Sequence, residues 1–432
     1  MAVATDRQLE ELAINSIRML SIDGVQAANS GHPGLPMGAA AMGYVLWTEY
    51  LRHNPADDQW FNRDRFVLSA GHGSMLLYSL LYLTGYDLPL DELKRFRQIG
   101  SQTPGHPEIH HTPGVEVTTG PLGAGFSNGV GMAIAEAFLA ATYNRPGHEI
   151  IDHRTYAIVS DGDIMEGISM EAAALAGHLG LGKLIYLYDA NHMTLAGSAN
   201  VSFSEDVASR FEAVGWHTIS VDGLDPNAVR AGLNAAIAET GKPSLVICRT
   251  VIGFGSPNKA NTFGAHGAPL GADEVKATKE AFGWPTEPTF LVPDAALEIF
   301  REALPKGAEL QADWDKRFAA YANEFPELAA ELGGAIARRL PKGWDADLPK
   351  WEVGSKIATR KAGEAVIASF FEKIPFFIGG SADLNPSTNT GMKKAGDFEN
   401  PNLPLVDKVQ GALGGEWSHA GRNIHFGIRE HA

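Results

Sequence analysis

The sequence predicts an α/β fold in which a doubly wound parallel sheet is followed by the start of a second α/β domain. Between 155 and 249, apolar segments of strand length alternate with Ala-rich segments of helix length. Strands that are separated by such helices are joined by right-handed crossovers and pair in parallel. From about 332 to 353 this periodicity is lost and Gly, Pro, Lys and Trp accumulate, before helical and strand patterns resume. We therefore expect two domains joined by a linker.

The elements of the first domain follow in order along the chain. Thr5 and Gln8 form a capping-box pattern, which predicts that the first helix begins there. The predicted strands are Thr155 to Ser160, Leu184 to Asp189, Trp216 to Val221 and Pro243 to Arg249. The predicted helices among them are Met170 to Leu179 and Ala228 to Thr240.

The second domain is expected to be incomplete. We place the first domain at 1–331, the linker at 332–353 and the second domain at 354–432. The second domain is predicted to begin with the helix Ser355 to Glu372 and the strand Pro375 to Ile378, and a strand and turn are predicted at Asn423 to Arg429. A doubly wound sheet needs more chain than this, so the remaining part is expected to be missing or to lie on another chain.

Composition and charge exclude several classes of protein. The 35 basic and 51 acidic residues give a net charge of −16, which argues against binding to nucleic acid or to an anionic membrane surface. The first residues lack the pattern of a signal peptide, and no uninterrupted apolar run reaches the roughly 20 residues of a membrane span. We therefore expect a cytoplasmic protein. The single cysteine, Cys248, excludes an internal disulfide and lies in an apolar run that favours a buried thiol.

Two oxygen-bearing side chains follow neighbouring predicted strands. Asp161-Gly162 comes directly after the strand at 155–160, and Asn191 follows the strand at 184–189, 191 − 161 = 30 residues further on. One helix fits in this interval, so both side chains are expected at the carboxyl edge of the sheet, where such folds bind ligands. An isolated Asp-Gly is usually an ordinary turn. The spacing to Asn191 instead favours a site for a divalent cation and a diphosphate, to which Gly162 allows close approach.

A glycine-rich run, Gly120-Pro121-Leu122-Gly123-Ala124-Gly125, resembles a dinucleotide fingerprint only superficially. The final glycine position of that fingerprint is Asn128, and no clear strand precedes the run. A loop whose backbone contacts a different cofactor fits this segment better than a nicotinamide site.

Four histidines lie in Gly-, Ser- or Pro-rich segments: His32, His72, His106 and His266. Each of them taken alone is more often structural than catalytic. No pair has the spacing of zinc ligands, and no cysteine accompanies them. Together they predict an active site with several neutral hydrogen-bonding groups that can carry protons.

These segments, together with Arg63 to Ser69 and Ile252 to Ser256, resemble transketolases in order and spacing over essentially the whole chain. The resemblance implies a sheet of the thiamine-diphosphate-binding type, with 1–331 as the diphosphate- and metal-binding domain and 354–432 as part of the pyrimidine-binding domain. It also implies thiamine diphosphate as cofactor, with Mg²⁺ and with Ca²⁺ or Mn²⁺ as alternatives, and a homodimer. The implied reaction moves a two-carbon ketol unit from a ketose phosphate such as xylulose 5-phosphate to an aldose phosphate such as ribose 5-phosphate. The pathway is the pentose phosphate pathway or the Calvin cycle.

The resemblance also assigns roles to individual residues. The metal ligands are Asp161, Asn191 and the backbone carbonyl of Met193. The cofactor contacts are His72, Gly120, Pro121, Leu122, Gly162, Asn191 and His266. The substrate contacts are His32, His106, His266, Arg360 and Ser387, of which Arg360 and Ser387 bind the terminal phosphate. The catalytic residues are Glu430, which activates the aminopyrimidine of the cofactor, and His32 and His266, which assist proton transfer.

Two positions depart from the family pattern. Ser160 stands where the first glycine of the cofactor motif is common, although the metal-binding Asp161 is intact. Phe263 stands where relatives commonly carry another histidine, which puts an auxiliary role at that position in doubt.

Two further interpretations remain open beside transketolase. A dihydroxyacetone synthase shares the motifs and accepts formaldehyde. A non-catalytic module would bind the cofactor and require a partner chain for turnover. We expect the 432-residue chain alone to be poorly active. The 1-deoxyxylulose-phosphate synthases share the cofactor but fit the substrate histidines and the pair Arg360 and Ser387 less well.

Overall fold

The computed structural model describes residues 5–403, 409–414 and 417–432. The chain forms two compact units. The first contains the described residues up to Ala133, with His153–Gly177 and Leu181–Ala312. The second contains Ile134–Asp152, His178–Gly180 and the described residues from Asp313 onward.

The first unit is built on a five-stranded sheet in the order β1-β2-β3-β7-β6, in which every pairing is parallel. Its strands are β1 (Arg65–Leu68), β2 (Thr155–Ser160), β3 (Leu184–Ala190), β6 (His217–Asp222) and β7 (Ser244–Arg249). A short antiparallel ribbon consists of β4 (Met193–Thr194) and β5 (Gly197–Ser198). The predicted parallel α/β sheet is confirmed. The strand β1 was not predicted.

The central strands are buried along their whole length. All residues of β2 and β3 are buried, as expected for a parallel sheet with helices on both faces. Their register pairs Ser160 with Asp189, so that the residues following both strands emerge at the same edge. This register positions the candidate site described below.

The helices as the structure has them are α1 (Asp6–Ala28), α2 (Gly34–Gly38), α3 (Ala40–Val45), α4 (Ser74–Thr84), α5 (Leu90–Lys94), α6 (Ala124–Tyr143), α7 (Asp161–Met165), α8 (Gly167–Leu179), α9 (Val207–Ala213), α10 (Pro226–Ala238), α11 (Ala272–Ala281), α12 (Asp294–Arg301), α13 (Ala303–Glu324), α14 (Pro326–Ile336), α15 (Thr359–Lys373) and α16 (Asn385–Thr388). The capping box that begins α1 is confirmed, since the Gln8 N–H donates to Thr5 Oγ1 and the Thr5 N–H donates to Gln8 Oε1. The main core forms where α1, α3 and α4 pack together and against the sheet, with Ile17, Leu76 and Leu187 among its buried residues.

Helix α6 has the length and the apolar composition that a membrane span requires. A core helix of a soluble protein meets the same criteria, so this is weak evidence for membrane insertion.

The second unit contains a three-stranded parallel sheet in the order β8-β10-β9. Its strands are β8 (Gly379–Ser381), β9 (Asp397–Phe398) and β10 (Asn423–His425). The start of a second α/β domain is thereby confirmed. The predicted strand Pro375 to Ile378 is wrong, because the Phe377 N–H turns back to the Ile374 carbonyl and strand pairing begins only at Gly379. Helix α14 also continues into the predicted linker. The exact domain boundaries stay a prediction.

Candidate functional site

Asp161 is the first residue of α7, directly after β2, and its side chain is buried. The Tyr188 hydroxyl donates to Oδ1 of Asp161, and the His192 N–H donates to Oδ2 at 2.9 Å. Burial raises the pKa of the Asp161 carboxyl, and these donors offset part of that increase. The site therefore begins with a buried carboxylate that two donors hold in place.

Asn191 follows β3 and is fixed by its neighbours. Its Nδ2 donates to Asp189 Oδ2 at 2.7 Å, and its Oδ1 accepts the Met193 N–H at 2.9 Å. Asp189 is fully buried, which raises the pKa of its carboxyl to about 7, while the Thr250 hydroxyl donates to it. Because an amide oxygen has two lone pairs, Asn191 Oδ1 can accept a second partner.

The predicted closeness of Asp161 and Asn191 at the ends of neighbouring parallel strands is confirmed. Strands β2 and β3 pair directly, and the backbone of His192, the residue after Asn191, donates to the Asp161 carboxylate. The arrangement brings a carboxylate, an amide oxygen and the backbone of Met193 together at the ends of two neighbouring strands.

A cavity of about 410 Å³ opens beside these residues. Eight of the residues that line it are site residues predicted from the sequence: His32, His72, Gly120, Leu122, Gly162, Asn191, Met193 and His266. The other lining residues, which sequence reasoning did not select, are Leu35, Ser160, Met165, Glu166, Thr194, Leu195 and Ile252. Eight predicted residues from six separate segments therefore meet at one cavity.

Three imidazoles form a cluster on the wall of this cavity. The ring centroids of His32 and His72 are 5.1 Å apart, those of His72 and His266 are 5.3 Å apart, and those of His32 and His266 are 5.8 Å apart. In the part of the chain that the structure describes, Nδ1 of His32 and Nδ1 of His266 are buried without a hydrogen-bond partner. Buried polar atoms usually have a partner, so both nitrogens are available to a water or to a polar ligand.

Burial keeps these histidines uncharged. Burial, and to a smaller extent the neighbouring histidines, lower the pKa of His32 to about 4 and that of His72 to about 3. Burial also lowers the pKa of His266. At neutral pH each ring therefore has one donor and one acceptor nitrogen, which suits hydrogen bonding and proton transfer.

His106 is exposed and lies against the glycine-rich loop. A Cβ on Gly120 would lie 3.4 Å from Cγ of His106, and Gly120 has a φ of +152°. Partial desolvation of its ring and, to a smaller extent, the charge of Arg97 lower the pKa of His106. His106 does not line the cavity itself.

Asp163 connects three segments around the site by hydrogen bonds, although the sequence analysis did not identify it as a site residue. It accepts the Ser69 hydroxyl at 2.7 Å, the Gly123 N–H at 2.9 Å, and the N–H and hydroxyl of Ser160 at 2.9 Å each. Burial raises the pKa of its carboxyl and these donors lower it. The sequence signal that could have found it is the capping box formed by Ser160 and Asp163 at the start of α7.

Glycines allow the loops of the site to approach closely. A Cβ on Gly162 would lie 2.7 Å from Cδ1 of Leu122, and one on Gly34 would lie 2.5 Å from the Ala265 carbonyl oxygen. Any larger residue at Gly34 would separate the loop of His32 from the loop of His266.

The remaining predicted residues belong to other surroundings. Pro121 precedes α6 and does not line the cavity. Arg360 on α15, Ser387 on α16 and Glu430 lie in the second unit, and all three are exposed. Their roles stay predictions.

Comparison with known proteins matches the chain to one family along most of its length. Residues 9–341 match the family described as transketolase, thiamine diphosphate binding domain, and residues 355–432 match the transketolase pyrimidine-binding domain. The chain is 54% identical over 426 residues to a transketolase of Geobacillus stearothermophilus, covering 98% of this chain and 61% of that protein. It is 50% identical to a chloroplastic transketolase of Zea mays, covering 99% of this chain and 62% of that protein. Since one of these relatives is chloroplastic, the expected cytoplasmic location stays a prediction.

Solved structures give the same relationship. A transketolase of Pichia stipitis in complex with sedoheptulose 7-phosphate superposes with a TM-score of 0.92 at 46% identity, covering 98% of this chain and 61% of that one. The chain thus spans a little over 60% of the length of the proteins that it matches here.

Proposed function

The chain belongs to the transketolase family, and from this premise we propose that it binds thiamine diphosphate with a divalent cation and takes part in ketol transfer between sugar phosphates. The observation that carries the proposal is the meeting of Asp161, Asn191 and the histidine cluster at one cavity. A carboxylate and an amide at the carboxyl ends of adjacent strands are what a metal-bound diphosphate requires.

The cavity fits the cofactor. Its volume of about 410 Å³ lies in the usual range for small-molecule sites. The Nδ1 atoms of His32 and His266, which have no partner among the described residues, can provide polar contacts, and Gly120 and Gly162 leave the backbone accessible. When bound, thiamine diphosphate supplies a nucleophilic carbon that can accept and release a two-carbon unit.

The residues around Asp161 also fit a divalent cation. The proposed ligands are the Asp161 carboxylate, Asn191 Oδ1 and the Met193 carbonyl oxygen. Hard oxygen donors of this kind favour Mg²⁺, with Ca²⁺ and Mn²⁺ as alternatives, and a cation would offset the unfavourable burial of the Asp161 carboxylate.

In the proposed function the protein residues position the substrate and move protons. His32 and His266 are neutral at pH 7, so each can take a proton from a sugar hydroxyl or return one. Arg360 and Ser387 would hold the terminal phosphate. A guanidinium can donate two parallel hydrogen bonds to it, and the hydroxyl of a short side chain can donate one. Glu430 would hold a proton against the pyrimidine ring of the cofactor. We propose that it does so from the second subunit of a homodimer.

The first experiment measures binding without turnover. Calorimetry of the purified chain with thiamine diphosphate should show binding that requires Mg²⁺. Absence of binding at millimolar cofactor in the presence of Mg²⁺, by a chain whose circular dichroism shows it to be folded, would overturn the proposal.

The second experiment measures ketol transfer, with xylulose 5-phosphate as donor and ribose 5-phosphate as acceptor, by following the release of glyceraldehyde 3-phosphate. Cofactor-dependent release, even if slow, is the expected result. Faster turnover with formaldehyde as acceptor would favour a dihydroxyacetone synthase. Cofactor binding without any release of triose would favour the non-catalytic module that requires a partner chain.

A further inference from the structure

Arg97 connects the two loops that carry His32 and His106. Its Nη1 donates to the Ser30 hydroxyl at 2.8 Å, two residues before His32. On its other side Arg97 contacts the backbone next to His106, since a Cβ on Gly105 would lie 3.1 Å from Arg97 Nε and 3.3 Å from its Cζ. A single guanidinium thus lies against both loops.

The backbone of Arg97 is held in an uncommon conformation. Its φ is +62°, in the left-handed region that residues with a Cβ rarely adopt. Its N–H donates to the Thr103 carbonyl at 2.9 Å, which attaches it to the segment that leads to His106. The preceding residue, Phe96, packs under Gly31, where an added Cβ would lie 2.9 Å from the phenyl ring. Strained residues that persist are often found at functional sites.

The charge of Arg97 also acts on both histidines. It lowers the pKa of His32 and that of His106, in each case after the larger effect of burial. It is not among the causes that lower the pKa of His72. Arg97 Nε is buried and has no hydrogen-bond partner among the described residues. The positive charge of Arg97 thus acts on the two histidines whose loops its guanidinium contacts.

We propose that Arg97 is a positioning residue that fixes the loop of His32 and the loop of His106 relative to each other and so sets the spacing of two substrate-contacting imidazoles. The importance of that spacing rests on the proposed function, because both histidines are proposed to contact the sugar phosphate. The ligand class concerned is a polyhydroxylated sugar phosphate, whose hydroxyl groups require donors at defined separations.

The test compares Arg97→Met, Arg97→Lys and Ser30→Ala in the full chain. Histidine ring signals are followed by NMR as a function of pH, and hydrogen exchange is followed in the segments 29–34 and 103–107. In Arg97→Met, exchange should accelerate in both segments by about tenfold, as expected for loss of one charged hydrogen bond. The midpoints of His32 and His106 should rise by roughly 0.5–1 pH unit, less than for a close charge pair because Arg97 is partly exposed. His72 should not change.

The other variants separate charge from contact. Arg97→Lys keeps the positive charge but loses the planar guanidinium with its several donors. The titration midpoints of His32 and His106 should therefore stay near those of the wild type, while hydrogen exchange accelerates in both segments. Ser30→Ala should accelerate exchange in 29–34 and reproduce part of the change in the His32 signal. Arg95→Met is the matched control, because Arg95 is exposed, pairs with Glu92 and should affect none of these signals.

Two results would overturn the proposal. One is that Arg97→Met and Ser30→Ala leave the signals of His32 and His106 and the exchange of both segments as in the wild type. The other is that changes in Arg97→Met are confined to one of the two loops. Thiamine diphosphate affinity is measured in parallel and should be the same in all variants. Failure of cofactor binding in the wild type would count against the proposed function and not against the role of Arg97.

Discussion

At the scale of single residues, the site is a group of buried acids that differ in how well they are compensated. Removing a carboxylate from water is unfavourable unless hydrogen bonds or a cation replace the water. Asp163 accepts four hydrogen bonds from Ser69, Gly123 and Ser160, whereas the two donors on Asp161 come from Tyr188 and His192. Asp161 thus accepts fewer hydrogen bonds than Asp163 among the described residues, and a cation beside Asn191 would compensate the burial of its carboxylate.

Replacing Asp161 by Asn should therefore weaken cofactor binding without lowering the stability of the protein. We expect metal-dependent thiamine diphosphate binding to weaken by about tenfold or more, since one charged ligand is lost. The melting temperature of the protein without cofactor should be unchanged or higher, because the substitution removes a buried charge whose pKa is raised by desolvation. Calorimetry and thermal denaturation measure the two quantities.

Asp206→Asn is the matched control for this change. Asp206 caps α9 in the same unit and is exposed, so its replacement should leave cofactor affinity as in the wild type. Wild-type affinity in Asp161→Asn would contradict the proposed metal site. A lower melting temperature with unchanged affinity would make Asp161 a structural residue only.

The lowered pKa of His72 predicts how stability depends on pH. In the unfolded chain a histidine takes up a proton near pH 6.5, but in the folded protein His72 does so only near pH 3. Between these values the unfolded state binds more protons, so stability is complete above about pH 6.5 and falls as the pH is lowered towards about 3. In His72→Gln this contribution is absent, so the loss of stability from pH 6.5 to 4 should be smaller. Urea denaturation without cofactor at several pH values measures it, and equal slopes in both proteins would contradict the prediction.

Sequence reasoning could reach the histidines but not the residue that connects their loops. His32, His72 and His266 occur in glycine-rich segments, and this unusual setting is visible in the sequence. Arg97 lies in an ordinary charged segment, and its contact to Ser30 spans 67 positions. Nothing local indicates which of the chain's arginines reaches a distant loop, because that depends on how helices pack and not on spacing.

At the scale of secondary-structure elements, prediction worked best where burial and period agree. The strand β2 has the bounds that its apolar run predicts, since every one of its residues is buried and the flanking positions are polar. The prediction for β8 was wrong because Pro375 to Ile378 is more apolar than Gly379 to Ser381. In the structure, Gly379 to Ser381 is the segment that pairs with β10. Strand β1 was missed because four residues are too few to show a period.

Packing between elements predicts a strong effect of one glycine. A Cβ on Gly177 of α8 would lie 1.8 Å from the Val214 carbonyl oxygen, which the backbone cannot avoid without moving. Gly177→Ala should therefore lower the free energy of unfolding by about 3 kcal/mol or more. Gly131→Ala is the matched control, since no described residue lies within 4 Å of an added Cβ there, and it should stabilise α6 by about 0.5–1 kcal/mol. Urea denaturation of both variants is the measurement, and a neutral Gly177→Ala would show that α8 can shift freely.

At the scale of the whole molecule, the sequence predicts that the strands pair in parallel, but it does not predict the order of the strands in the sheet. Helical crossovers fix parallel pairing, but the order β1-β2-β3-β7-β6 depends on which faces the helices cover. The juxtaposition of Asp161 and Asn191 could be predicted because one crossover usually joins adjacent strands. The positions of Arg360, Ser387 and Glu430 relative to the cavity could not be derived in this way, because they lie in the second unit.

This division into units predicts where the cofactor should act. Every residue that lines the 410 Å³ cavity belongs to the first unit. Thiamine diphosphate with Mg²⁺ at 100 times its Kd should raise the free energy of unfolding by about 2.7 kcal/mol. Hydrogen exchange should slow at the start of α7 and after β3.

Under the proposed homodimer, exchange in β8 and β10 should slow only at protein concentrations at which the chain dimerises, because the second unit would then complete the site of another copy. Equal protection of β8 and β10 at all protein concentrations would contradict a contribution from a second copy. Absence of protection at Asp161 would contradict the proposed site itself.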